Sequence, residues 1–431
     1  MGLTPWKPGA GEWDLPAATH LCNRAGFGPR PGQAEALLAG GHEVAVAGFF
    51  EPAGHDPAYL KGITIMLGSG DTQPLAAWWM GLIRGDGDPL AERVALMWHD
   101  HFATSDDKVG DPRLMHGQNR LFRELGLGDF RVLCRAVAKD PAMLLWLDGD
   151  LNRAGHPNEN FAREVMELFV LGIGNYTEED ILEAARAFSG WGTKGRAFRY
   201  RAKYHDDGEK TLLGRTAAFT PEEALDWILA QPAAARHIAR RLLAEFVTPT
   251  PSDELCDATA ERLVALDWHV GALLRELLLS EVFFAAEARR ARIAGPVELV
   301  IRAVRRLGLE VPPTELAEAA AEMGQALFRP PSVKGWDGGE VWINAGTWTA
   351  RHNAPLRALD GLDDSALVAA LGRPRSKPDA ADLALDGLLP GLDSVEFRAA
   401  LRVEAERADS PTAALRLATA LVLVAPEYQL S

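Results

Sequence analysis

ENFAREVMELFVLGIGNYTEEDILEAARAFSGW, residues 159–191, carries the pattern that sets the fold class. Apolar residues recur at three and four in ENFAREVMELFVL and again in EEDILEAARAF, the period of two successive helices. Between them, Gly172 and Gly174 can take the left-handed conformation that ends a helix. Thr177 precedes the second block and has Asp180 three residues on, a variant of the capping box.

At about 100° per residue, Asn160, Glu164 and Glu167 share a stripe roughly 60° wide. The apolar arc around it is about twice the usual width for a surface helix, so this helix is expected to be buried on most sides. Glu164 and Glu167 should then have Cβ atoms about 5–6 Å apart. Such a pair repels by roughly 3 kcal/mol at an effective dielectric near 20. Buried, it needs a cation, a shared proton or arginines. A divalent metal or an acid–base role would use that arrangement. A structural ion-pair network with Arg163 and Arg24 is the other reading of the same stripe.

The same helical period runs outward in both directions, through LAERVALMWHDHF, RVLCRAVAKDPAMLLWL, AARHIARRLLAEFV and PVELVIRAVRRLGL. Strand signals are scarce. The best is AFRYRAKYHDDGEKTLLG (197–214), which predicts one short hairpin or an ordered loop. The expectation is an all-α chain with that one exception. A helical main body is read from 15 to 355, with a smaller helical portion, 356–431, packed on it. RPRSKPDAAD lies near the start of the latter as a linker.

Of the 431 residues, 47% are hydrophobic and 24% charged, which excludes disorder as the main state. With 45 basic and 60 acidic residues the net charge is −15 and the pI near 5.3, the wrong sign for a nonspecific nucleic-acid binder. Cys22, Cys134 and Cys256 are odd in number and widely spaced, which argues against a disulfide framework or a zinc site. No apolar run approaches the roughly 20 residues that span a bilayer. The opening MGLTPWKPGAGEWDLP has no basic stretch followed by an apolar one, so cytoplasmic is the default reading.

Trp98-His99-Asp100-His101-Phe102 offers a His-x-His chelate. On a helix the two rings point about 200° apart, so one metal takes both only if the helix ends at His99. Otherwise His101 is a core histidine and His99 edges a cleft. His205 and Asp207 sit in a polar turn that is either solvated or held over a pocket. Lys334-Gly335-Trp336-Asp337-Gly338-Gly339 lies in a Pro-flanked loop. Its glycines permit close backbone approach. Its tryptophans either stack on a sugar or peptide or plug the loop onto the helical body, and plugging is favoured because such a loop must bury its aromatics.

HLCNRAGFGPRPG (20–32), MWHDHFATS (97–105), residues 156–191, HDDGEKTLLG (205–214) and PPSVKGWDGGEVWIN (330–344) together resemble the bacterial domain-of-unknown-function family numbered eighteen-hundred. The likeness runs from about residue 15 to the terminal APEYQLS. It implies a mostly helical protein and brings no established reaction with it. Many members look exported, which leaves export open here. Members often read Met-Glu-Leu-His where this chain has Met166-Glu167-Leu168-Phe169.

Two functions are expected from these residues. The first is an enzyme with Glu164, Glu167 and His205 as catalytic residues. With one divalent metal held by His99, His101, Glu164 and Glu167 it would be a hydrolase or oxidoreductase. Without metal the carboxylates would serve as acid and base, for example on a glycoside. Its ligand would be a carbohydrate or peptide, the 12 tryptophans favouring carbohydrate. The second is a non-catalytic interaction or assembly protein that binds a protein partner, its carboxylate stripe closed by arginines. No Gly-x-Ser-x-Gly elbow occurs, which ranks serine chemistry below both.

Overall fold

Short polar caps repeatedly start the helices of this chain. Asp88, Asp111 and Asp140 each precede a proline, and their carboxylates accept from the amides of Ala91, Arg113 and Met143 at 3.0–3.1 Å. Proline at the first helical position lacks an amide that would go unpaired there, and the aspartate takes up one of the others. The computed structural model describes residues 3–51, 53–68, 70–85 and 87–431. It is 62% helical, as the apolar period predicts.

Thr177 and Asp180 form the reciprocal capping box, with Asp180 N 3.1 Å from Thr177 Oγ1 and Thr177 N 2.9 Å from Asp180 Oδ2. Gly172 and Gly174 take φ of 80° and 88°, as a helix stop at this point requires. Thr177→Ala is expected to cost about 1 kcal/mol, a typical N-cap value. Urea unfolding would register it as a lower midpoint at unchanged slope, and an unaltered midpoint would show that the cap is dispensable.

Where one short hairpin or ordered loop is expected over 197–214, two small antiparallel hairpins span 191–217. β1 (Trp191–Lys194) pairs with β2 (Ala197–Tyr200), with Trp191 opposite Tyr200. β3 (Lys210–Leu212) pairs with β4 (Arg215–Ala217), with Lys210 opposite Ala217.

Among the helices that carry charged residues into the core, two carry several each. In Pro89–His101, nearly every residue is buried, including Glu92, Arg93, His99 and His101. Pro296–Leu307 is buried along its whole length despite carrying Glu298, Arg302, Arg305 and Arg306. It packs against the Gln73–Arg84, Pro313–Glu322 and Ala345–Asp360 helices. Its arginines tie down distant backbone. Arg305 Nε donates to Gly28 O at 2.9 Å and Arg302 Nη1 to Leu430 O at 2.7 Å. Gly28 cannot be otherwise, because a Cβ there would lie 2.9 Å from Arg302 Cγ and its φ is 93°. The last residues run beside the strand-like 292–294 segment, with Ser431 N donating to Arg292 O at 2.7 Å. Among the described residues no helix is long and apolar enough to cross a membrane.

Candidate functional site

The carboxylate stripe occupies a helix that changes type midway. Glu159–Glu164 is α-helical and Val165–Val170 is a π-helix. Glu164 and Glu167 are both partly exposed. Burial, then Glu167, pushes the Glu164 carboxyl up. Glu167 accepts from Tyr176 Oη at 2.6 Å. Neither carboxylate is closed by the arginines expected for it. Arg163 pairs with Glu159 at 2.9 Å and Glu178 at 2.7 Å. Arg24 is fully buried elsewhere and donates to Val247 O and Ala288 O.

The π-turn accounts for two histidines. His101 Nε2 lies 2.9 Å from Phe169 O and His237 Nε2 lies 2.8 Å from Leu168 O. A carbonyl only accepts, so both rings carry their proton on Nε2. His99 has the opposite arrangement, its Nε2 accepting from Phe328 N at 3.0 Å. Burial holds His99 at about 3 and puts His101 well below its usual range. His205 is also buried, with Nδ1 3.1 Å from Ser189 O.

The expected metal set of His99, His101, Glu164 and Glu167 therefore does not assemble. Among the described residues no three His, Cys, Asp or Glu side chains converge to hold a metal ion. The physical reason is helical. The Pro89–His101 helix continues through both histidines, so their rings diverge, and each spends a nitrogen on backbone. In the expected trio, Glu164 and Glu167 remain neighbours. His205 stands after the first hairpin, and among the described residues no hydrogen bond or ion pair joins it to either carboxylate.

Other residues of the quoted motifs do converge. A cleft of about 490 Å³ lies between the end of the Pro89–His101 helix, the end of the Pro232–Phe246 helix, the 291–298 segment and the Trp336 loop. Asp100, the residue between the two histidines, lines it. Arg241 Nη2 donates to Asp100 Oδ2 at 2.5 Å and the Trp336 amide to Oδ1 at 2.8 Å. Burial pushes the Asp100 carboxyl up, against Arg241 and the Trp336 amide, which hold it down. Gly335 is obligatory beside it: a Cβ would sit 2.4 Å from Asp100 Oδ1, and its φ is 84°. Trp336 packs edge-on against His99, ring centroids 5.5 Å apart, which seats the loop on the helical body as expected. Trp342 lines the same cleft, and the adjoining Asp337 and Glu340 complete that side of it.

One wall of the cleft is part of a buried ion network. Arg93 Nη1 is 2.5 Å from Glu298 and its Nη2 2.8 Å from Glu245. Arg292 reaches the same two carboxylates at 2.5 and 3.5 Å. Burial alone would raise Glu298, but Arg292, Arg93 and the Gly295 amide outweigh it and hold it at about 2. Phe27, from the 20–32 motif, faces the Arg93 guanidinium at 5.5 Å. Burial, then Arg292, lowers the nearby Arg24 to about 9.

Sequence reasoning singles out the histidines flanking Asp100 and passes over Asp100 itself. It misses Arg93, Glu245 and Glu298 too. The available signal is a charge within an otherwise apolar helical run, as in LAERVALM and PVELVIRAV.

A family model described as Protein of unknown function (DUF1800) matches residues 20–430. No curated protein and no solved structure matches the chain.

Proposed function

The chain belongs to the DUF1800 family of proteins of unknown function, and on that premise we propose that its Asp100 cleft binds a neutral, hydroxyl-rich ligand of the carbohydrate class. The observation that carries this reading is the meeting of two tryptophans with charges of both signs on one surface. Five carboxylates and two guanidinium groups line the cleft, and the arginines are already engaged by Asp100, Glu245 and Glu298. That balance disfavours an anion. A sugar hydroxyl, by contrast, donates to a carboxylate and accepts from a guanidinium at once. The parts of Trp336 and Trp342 that line the cleft supply apolar area for its carbon face.

The acid–base form of the enzymatic reading passes to this cleft. Asp100 is pushed up, whereas Glu245 is held low by Arg292 and Arg93 against the effect of burial. Carboxyl groups driven apart in this way are the pattern of an acid and its anionic partner. Binding without chemistry is the alternative, favoured by the arginines that clasp Glu245 and Glu298.

Titration of tryptophan fluorescence with tetramers of β-1,4-linked glucose and N-acetylglucosamine tests the proposal. A saturable change is expected, with Trp342→Ala weakening it by about tenfold, or about 1.4 kcal/mol. A flat response to both sugars, or full affinity in Trp342→Ala, would count against it. Release of reducing ends that is lost in Asp100→Asn assigns chemistry, and binding without release assigns recognition alone.

A further inference from the structure

We propose that a second, smaller cavity binds a tetrahedral oxyanion, a phosphate or sulfate group. It has a volume of about 60 Å³ and lies between the Leu15–Ala25 helix, the Pro296–Leu307 helix and the 388–391 turn. This inference is independent of the carbohydrate reading, since the two cavities lie on different stretches of the 289–298 segment.

Charge is the first argument. Arg289, Arg290, Arg302 and Arg306 line the cavity and no acidic side chain does. Among the described residues none of the four forms an ion pair with a carboxylate. Their partners are neutral carbonyls: Gly391 O for Arg290 at 3.0 Å, Leu430 O and Tyr428 O for Arg302, and Gly387 O for Arg306. Carbonyls orient a guanidinium but leave its charge uncancelled. Glu427 and Glu35 act on Arg290 and Arg306 only at a distance. A carboxylate at Ser431, counted in full, offsets one positive charge of the four.

Unpartnered polar atoms are the second argument. Arg289 Nε, Arg302 Nε, Thr19 Oγ1 and Ser431 Oγ are buried with no hydrogen-bond partner, and all four residues line this cavity. Thr19 is 7% exposed and Ser431 3%. Buried polar groups left unpaired in this way are rare and costly. Guanidinium and hydroxyl donors around one small space suit an oxyanion, which accepts on every oxygen. The volume admits roughly four water-sized spheres, enough for one such group and too little for a sugar or a base.

Backbone strain is the third. Arg290 has φ of 53°, an uncommon conformation for a residue with a side chain. Strain of this kind is retained where the surroundings impose it, often at ligand clamps. The positive potential also reaches His20, which burial, Arg24, Arg289 and Arg290 together hold well below its usual range.

Isothermal titration of the full chain with inorganic phosphate, sulfate and glucose 6-phosphate, at ionic strength fixed with sodium chloride, tests the assignment. Saturable one-site binding of at least one of the three is expected. Arg289→Gln removes a side chain whose Nε has no protein partner, and it should weaken binding by about tenfold or more, the loss of one charge-assisted hydrogen bond. Thr19→Val should weaken it less, while Arg163→Gln, whose partners are Glu159 and Glu178, should leave it unchanged. Tighter binding of glucose 6-phosphate assigns a phosphoryl group carried by a larger molecule, and tighter binding of either inorganic ion assigns the free ion. No saturable heat with any of the three, or unweakened binding in folded Arg289→Gln, overturns the proposal.

Discussion

Arg93→Met will destabilise the protein by about 3–5 kcal/mol, the cost of stranding a buried charge by removing its partner. Arg93 is fully buried and is the closer partner of Glu245, at 2.8 Å against 3.5 Å from Arg292. It shares Glu298 equally with Arg292, at 2.5 Å each. With Arg93 gone, two buried carboxylates depend on one guanidinium. Methionine keeps much of the volume against Phe27, so the loss is electrostatic more than steric. The network joins three separate stretches of chain, so its failure should loosen the whole wall of the Asp100 cleft. Arg93→Met combined with Glu298→Leu should recover part of the loss, because a buried pair replaced by apolar groups is often nearly neutral. Recovery will be incomplete, since Glu298 also accepts from the Gly295 amide at 2.9 Å. Urea unfolding of wild type, both single variants and the double variant measures this. A loss under about 1 kcal/mol for Arg93→Met would place the pair in the range of surface salt bridges and remove its claim to hold the wall.

The parts of this structure that are legible in sequence are those decided by a few neighbouring residues. The helix stop at Gly172 and Gly174 and the Thr177–Asp180 box need only local chemistry, and both stand as expected. The π-turn at Val165–Val170 does not, because its carbonyls are satisfied by His101 and His237, 68 and 69 residues away. A fixed 100° step cannot anticipate a change of helix type imposed from that distance. The first hairpin is visible only from its second strand. Trp191–Lys194 is short, buried over three of its four residues and without alternation, so it carries no strand signal of its own. The cleft is half legible: the MWHDHF and KGWDGG blocks both stand out, but not their meeting. Histidine draws attention as a ligand, yet each ring is spent on backbone, and the aspartate between them receives the loop amide. A charge inside an apolar helix reads most simply as a solvated edge. Arg93 and Glu298 show that such charges can instead find each other across 205 residues of chain.

Acid will begin to destabilise this protein above the pH at which most of its carboxylates titrate. His20, His99, His101, His116 and His237 are all lowered first by burial, His99 to about 3 and His116 to about 4. In the unfolded chain each regains a value near 6.5. Below that pH the unfolded state binds a proton on each and the native state does not, so stability falls as pH falls. Asp140 opposes this. Burial raises it to about 7, so through the same window the native state binds one proton that the unfolded chain lacks. Asp88, Asp100 and Glu164, also raised by burial, act in the same opposing sense nearer the carboxyl range. The net of two to three protons corresponds to about 3–4 kcal/mol lost per pH unit below about 6. Set against a total stability of about 5–15 kcal/mol, that places the acid midpoint at about pH 4.5 for the low end of the range and at about pH 3 or below for the middle and upper part. Glu92 and Glu298 extend the loss further down. Arginine partners, outweighing burial, hold both at about 2, so their contribution is intact above about 4.5 and disappears as pH falls through 2. Urea unfolding at half-unit steps from pH 7 to 5 gives the slope directly. His99→Gln can still accept from the Phe328 amide and should flatten that slope by about one proton. A wild-type slope of less than one proton over this range would mean that these rings are protonated in the folded chain, and the hydrogen bond that His99 Nε2 accepts from the Phe328 amide could not stand.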